Sequence, residues 1–283
     1  MNSQRTRGVL VTLGILGLIG VAAAHDGWIQ TNVPRVSVGD MCYIDMQFGN
    51  HGNTHRDYKI WGSKWDITRA TFALHTPAGD VVDLKDRVID VGVDELKTVG
   101  GVPYRDVNGY LVASFQADQK GIYIADVRQD VVVSYAPERS IKCTKAVVGA
   151  VPSTEGHEAL RGYDKTLSQV LEIVPLNDPT GLAVGDTLIV QVLFKGAPLT
   201  DACLSVIPRG KELPPMGEAN PYDLMTDMQG RAQFTFGEAN YHLLVAHVET
   251  DEGGTLDGKR YTFTKYTGDL TVIVRPGKVK PAK

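Results

Sequence analysis

Cysteine is scarce in this chain. Cys42, Cys143 and Cys203 are the only three in 283 residues, and none sits in a C-x-x-C or C-x-x-C-H pattern. That excludes thioredoxin-like redox chemistry and c-type haem attachment. An exported chain with three cysteines has room for one disulfide among three pairings. Cys42–Cys143 is the expected pair, because Cys42 lies on the apolar face of its strand and Cys143 closes the same half; three buried free thiols are the alternative. Catalytic signatures are missing as well: there is no G-x-S-x-G, no H-E-x-x-H and no phosphate-binding glycine loop. The chain is therefore not expected to be an enzyme. Excess positive charge is also lacking. The formal net charge is −4, so nothing draws the chain to nucleic acid or anionic lipid. After residue 24 no run approaches the roughly 18 apolar residues of a membrane helix, so no stable span is expected once the first segment is removed. Helical periodicity is absent before residue 150.

The amino end reads as a secretory signal. Arg5 and Arg7 supply its positive region, GVLVTLGILGLIG at 8–20 its apolar region, and Ala22-Ala23-Ala24 a small-residue cleavage site. Cleavage after Ala24 delivers the protein to the periplasm or the exterior with His25 as its first residue. An N-terminal histidine chelates through its α-amine and imidazole together. The amine's ordinary pKa is about 7.7–8.0, so a metal displaces its proton near neutral pH. Cleavage after Ala23 makes His25 the second residue, which still chelates through amine, amide and ring.

Strand patterns fill the rest. Met41–Phe48 alternates, with Cys42, Ile44, Met46 and Phe48 on one face and Asp45 and Gln47 on the other. Arg69–Thr76 places Phe72 and Leu74 inward and His75 outward in solvent; the turn at Pro77 leads into Val81–Leu84. Gly109–Phe115, Gly121–Arg128 and Asp130–Tyr135 continue the series. The Gly-, Ser- and Pro-containing stretch near 149–162 reads as a connection. A second set follows at Gln169–Val174, Thr187–Phe194, Ala202–Pro208, Arg231–Phe236, Tyr241–Glu249 and Gly268–Val274. Short strands with regular turns imply β-sandwiches. The expected organisation is a signal peptide at 1–24, an N-terminal sandwich at 25–148, a linker at 149–167, a C-terminal sandwich at 168–275 and a basic tail at 276–283.

Residues 185–236 carry a strand, GAPLTDA, a second strand and TDMQGRAQFTF. This order resembles carboxypeptidase-regulatory-like (transthyretin-like) domains. AHDGWIQT at 24–31, VSVGDMCYIDMQFGN at 36–50, KGIYIADV at 120–127, LEIVPLNDPTGLAVGDTLIVQVLFKGAPLTDA at 171–202 and YHLLVAHVE at 241–249 together resemble the domain of unknown function 4198 family. Those exported two-domain proteins are labelled as periplasmic components of cobalt or nickel uptake. The resemblance implies an all-β fold of two tandem Ig-like or transthyretin-like sandwiches, with a metal ion as ligand and an inner-membrane metal transporter as partner. After Phe48 the chain departs from the family's short Gly-His turn and reads GNHGNTHRDY.

His51 and His55 stand in that departure, spaced H-x3-H among Gly and Asn, and Asp57 adds an oxygen donor. Imidazole, amine and one carboxylate suit Ni, Co, Cu or Zn better than Ca or Mg. If the first two strands share one pole, His25, His51, His55 and Asp57 converge on one ion. A solvated His-rich loop without metal is the plain alternative. His242 and His247 are five apart on a strand and face opposite ways, while His157 lies in the linker. Trp28, Trp61 and Trp65 are expected as core anchors. A copper enzyme with a histidine brace would instead need them as a flat substrate surface. A structural or adhesive sandwich protein at the cell surface is the other alternative, and it needs no metal.

Overall fold

The computed structural model describes residues 25–49, 64–107, 109–153, 158–215 and 218–277. The fold is all-β. Helix among these residues is confined to two short 3-10 turns, Lys85–Arg87 and Pro179–Gly181. The strands of the first half are β1 (Asp26–Thr31), β2 (Arg35–Ser37), β3 (Met41–Gly49), β4 (Ala70–His75), β5 (Val81–Asp83), β6 (Ile89–Asp90), β7 (Asp94–Val99), β8 (Val102–Val107), β9 (Gly109–Gln116), β10 (Gly121–Val132) and β11 (Glu138–Val151). Those of the second are β12 (Leu171–Pro175), β13 (Thr187–Phe194), β14 (Ala197–Pro198), β15 (Cys203–Pro208), β16 (Asp223–Met225), β17 (Arg231–Thr235), β18 (Asn240–Thr250), β19 (Gly254–Leu256), β20 (Lys259–Tyr261) and β21 (Phe263–Val274).

One sheet is common to both halves. Its order is β16–β15–β18–β21–β11–β10–β4–β5, with β2 also beside β11. The join is the parallel pairing of β11 with β21, from Glu138↔Phe263 to Ala146↔Thr271. β2 takes over that edge of β11 at Gly149–Val151. Side chains alternate along β10 and β11, so this sheet serves two cores. Tyr123, Ala125, Val127, Ala146, Val148 and Ala150 face a first core with Cys42, Ile44, Met46 and Phe48 of β3. Ile122, Ile124, Val147 and Val151 face a second, with Val190, Val192, Leu244 and Leu270. The covering sheets are β1–β3–β9–β6 for the first core and β12–β13–β14 with β17 for the second. A third cluster sets Trp28 of β1 against Ile207, Leu213, Leu243 and Val245 of the second half.

The same alternation corrects the expected Cys42–Cys143 disulfide. None of the three cysteines is joined in a disulfide to another. Cys42 points into the first core, whereas Cys143 shares the β11 face of Val147 and Val151, which is turned to the second. The sheet separates the two thiols. Burial pushes Cys42 up to about 12 and Cys143 up to about 11, so neither supplies a thiolate ligand near neutral pH.

His75 also departs from expectation. It is not solvated: its side chain is largely buried, with Nε2 3.7 Å from Asp126, because it pairs with Ile124 on the face of the sheet turned to the second core. Burial holds its pKa below the ordinary value.

Between the halves lies a buried polar network. Lys145 of β11 donates to Glu172 Oε1 at 2.8 Å, with side chains 1% and 2% exposed. Glu172 also accepts from the Leu167 and Gln169 amides at 2.7 and 3.3 Å. Gln169 Nε2 donates to Asp126 Oδ1 at 2.6 Å, and Asp126 is paired with Arg128. Arg35 adds a second tie, through Asp178 at 2.8 Å and Thr180 at 3.1 Å. Breaking a buried pair leaves one charge uncompensated, at about 3–5 kcal/mol. Glu172→Ala is therefore expected to lower unfolding stability by about that amount in denaturant titration. The double variant Lys145→Met with Glu172→Gln removes both charges and keeps an acceptor for the Leu167 amide, and is expected to lose less than Glu172→Ala alone.

Candidate metal centre

His25 immediately precedes β1, and its backbone is fixed from below. Lys142 of β11 donates from Nζ to the His25 carbonyl oxygen at 2.7 Å. The same ammonium lies 5.4 Å from the Phe48 ring centroid. Two residues on, Gly27 lies so close to an aromatic pair that a Cβ there would stand 2.6 Å from Trp65 and 2.8 Å from Phe48; only glycine fits. Trp65 is held by its Nε1, which donates to the Gln47 carbonyl at 2.9 Å, and it meets the Phe48 ring edge-on at 5.5 Å. Trp28 and Trp65 are both buried, so neither offers a flat face to a polysaccharide.

His51, His55 and Asp57 lie outside the described residues, as do Trp61 and His157. The points where their segment leaves and returns are both described. β1 and β3 pair antiparallel up to Asp26↔Gly49. The segment carrying His51, His55 and Asp57 therefore departs from Gly49, across the ladder from Asp26 and next to His25. The chain is described again at Lys64, which lines the same cleft of about 460 Å³ as His25, Phe48, Arg69, Lys142 and Lys259. Lys64 is paired with Asp90 at 2.9 Å and Arg69 with Asp257. Among the described residues alone, no group of three or more His, Cys, Asp or Glu is disposed to hold a metal ion.

Asp26 faces the other way, into the second half. It is fully buried, and its Oδ1 meets His247 Nε2 at 2.9 Å. His247 lies on the β18 face opposite His242, as their spacing implies. His242 turns into the second core, where its ring packs on Phe236 at 4.7 Å. Pairing places Lys142 beside Thr267, and Thr267 beside His247, across β11, β21 and β18. Asp269, two residues along the same face, is wholly buried, and neither of its oxygens has a hydrogen-bond partner among the described residues. Desolvation lifts its pKa well above the ordinary carboxylate value, and the nearby Asp26 charge adds to this against the opposing pull of Lys142. Sequence patterns give no sign of Asp26, Asp269 or Lys142 as a cluster. They come from three strands, and only the parallel β11–β21 register brings them under β1.

The raised Asp269 pKa has a definite sign for stability. Below about pH 4, the ordinary aspartate value, folded and unfolded forms both hold the proton and there is no penalty. At higher pH the unfolded chain releases a proton that the fold retains, so stability falls as pH rises above about 4. Asp269→Asn, a neutral isostere, is expected to flatten this decline and raise Tm at pH 7 by about 2–4 °C per kcal/mol recovered. A thermal melt series from pH 4 to 8 checks it, and a lower Tm for the variant at pH 7 contradicts it.

A clamped first strand on a double sandwich with one common sheet defines an all-β protein. The chain belongs to the family described as Domain of unknown function (DUF4198), which matches residues 22–250. Among solved structures, the D0-D1 domain of intimin aligns at 10% identity over 87% of this chain and 97% of its own, with a TM-score of 0.22. The Yersinia pseudotuberculosis adhesin InvE aligns at 10% identity over 89% of this chain and 61% of its own, with a TM-score of 0.22. A DUF4785 family protein from Legionella pneumophila aligns at 13% identity over 77% and 52%, with a TM-score of 0.23. Comparison with curated proteins gives no match.

Proposed function

We propose that this chain is an exported protein that binds a first-row transition ion, Ni or Co with Cu and Zn as near alternatives, and supports its uptake or handling in the periplasm. His25, His51, His55 and Asp57 would hold the ion, and an inner-membrane metal transporter would be the partner. The observation that supports this reading is the position of the chain ends. Gly49 and Lys64, which bracket the segment bearing three of the four donors, both lie at the His25 pole. A 14-residue segment whose two ends both lie close to His25 has the reach to bring its donors to that residue.

The donor chemistry fits such an ion. The His25 carbonyl is committed to Lys142, so chelation by this residue falls to its nitrogen atoms. Imidazole and amine nitrogen with one carboxylate match borderline metals. Cys42 and Cys143 offer nothing in competition, because burial raises the pKa of both thiols. The bound ion would act as cargo, and the protein's part would be to offer nitrogen and carboxylate donors that let the ion go when they take up protons.

Titration of the processed protein with Ni, Co, Cu and Zn tests this. His25→Ala, or an added N-terminal Met or tag, is expected to weaken binding, and His51→Ala to weaken it further. Affinity is expected to fall below about pH 6, where imidazole and the amine take up protons. Equal affinity of tagged and processed forms would overturn the role of the His25 amine. Absence of binding after dialysis would favour a structural or adhesive role.

A further inference from the structure

We propose that the β7–β8 hairpin is a self-association edge, through which two copies of this chain pair antiparallel along β7 about a two-fold axis at Leu96. The hairpin forms a two-stranded sheet of its own. Every residue of β7 is exposed, with Leu96 at 78% and Val99 at 64%. Two strands alone are marginal in water and gain from further pairing. The two edges are not equivalent. β8 carries Pro103, which removes a backbone donor and blunts that edge. β7 contains no proline and has β8 as its one strand neighbour among the described residues.

The turn fixes which groups β7 presents outward. Gly100 and Gly101 both have positive φ, 58° and 83°, as a two-residue type I′ turn requires. Val99 and Val102 flank it as the closing hydrogen-bonded pair. Bonding alternates along an antiparallel ladder. Glu95, Lys97 and Val99 therefore direct their backbone groups to β8, and Asp94, Leu96 and Thr98 direct theirs outward. Centring the second copy on Leu96 pairs Leu96 with its own copy and Asp94 with Thr98, both as hydrogen-bonded pairs.

The side chains match in the same register. Glu95 falls opposite Lys97 of the second copy, and Lys97 opposite its Glu95. These are non-hydrogen-bonded positions, where side chains approach most closely. Within one chain Lys97 already lies 3.6 Å from Glu95 and is paired with Asp106, so the acidic and basic groups alternate along this face. Val93, 39% exposed, falls opposite Val99. The next registers that keep β7's outward bonding groups in phase are displaced by two residues, and they set Glu95 opposite Glu95 or Lys97 opposite Lys97. A contact of this length is small, so the dimer belongs to the weak, concentration-dependent class.

Sedimentation equilibrium of the processed chain from about 10 µM to about 1 mM, which brackets weak association, tests the proposal. The mass is expected to rise toward twice the chain mass and to rise less at high salt. Glu95→Lys and Lys97→Glu, each placing like charges opposite one another, are each expected to stay at the single-chain mass. An equimolar mixture of these two variants restores opposite charges at both positions, as does the double variant E95K/K97E, and both are expected to associate as the parent does. A parent chain that stays monomeric throughout, single variants that associate like the parent, or a mixture that fails to recover would each overturn the proposal.

Discussion

The parallel pairing of β11 with β21 is the constraint on which the rest of the structure depends. It makes one sheet out of strands from both halves, and it leaves β11 buried on both faces. One face carries Lys145 to Glu172 and joins the second core. The other carries Lys142 and Thr144 to β1: Lys142 bonds the His25 carbonyl, and Thr144 Oγ1 accepts from the Ile29 amide at 3.2 Å. The start of the first strand is thus held by a residue 117 positions away in sequence. Local propensity has no part in that placement, which follows from sheet register.

Burial of charge at this junction is a specificity device more than a source of stability. Desolvating Lys145 and Glu172 costs about as much as their attraction returns. The pair earns its place through geometry, because Glu172 also bonds the Leu167 and Gln169 amides and so fixes how the second half enters the common sheet. Asp269 is the opposite case, a carboxyl with no hydrogen-bond partner among the described residues, where burial raises the pKa and favours the neutral form. Both kinds of buried polar group gather around β11 and β21, where two cores and a crossing strand meet.

Much of the fold was legible in the sequence. Strict alternation announces β3, and Thr187–Phe194 is bounded correctly as β13. The opposite facing of His242 and His247 follows from strand geometry alone. β11 was not legible. Its first half, ERSIKCTK, is polar and its second, AVVGAV, is a run of small apolar residues, which is how a strand buried on both faces reads. Missing it hides the common sheet, and with it the separation of Cys42 from Cys143, the inward turn of His75 and the Asp26–His247–Asp269 cluster. Of the proposed metal donors, His25 has a described position; for His51, His55 and Asp57 the sequence supplies the residue types, and the β1–β3 register supplies the neighbourhood from which their segment departs.

The proposal that ties these features to function is a metal ion held at the His25 pole. Anomalous diffraction from crystals of the processed protein grown with Ni tests it most directly. The account predicts one strong anomalous peak in contact with the His25 α-nitrogen and ring, with imidazole from His51 or His55 completing the coordination. A protein that binds Ni with its peak remote from His25, or that shows no ordered peak at this pole, would contradict it.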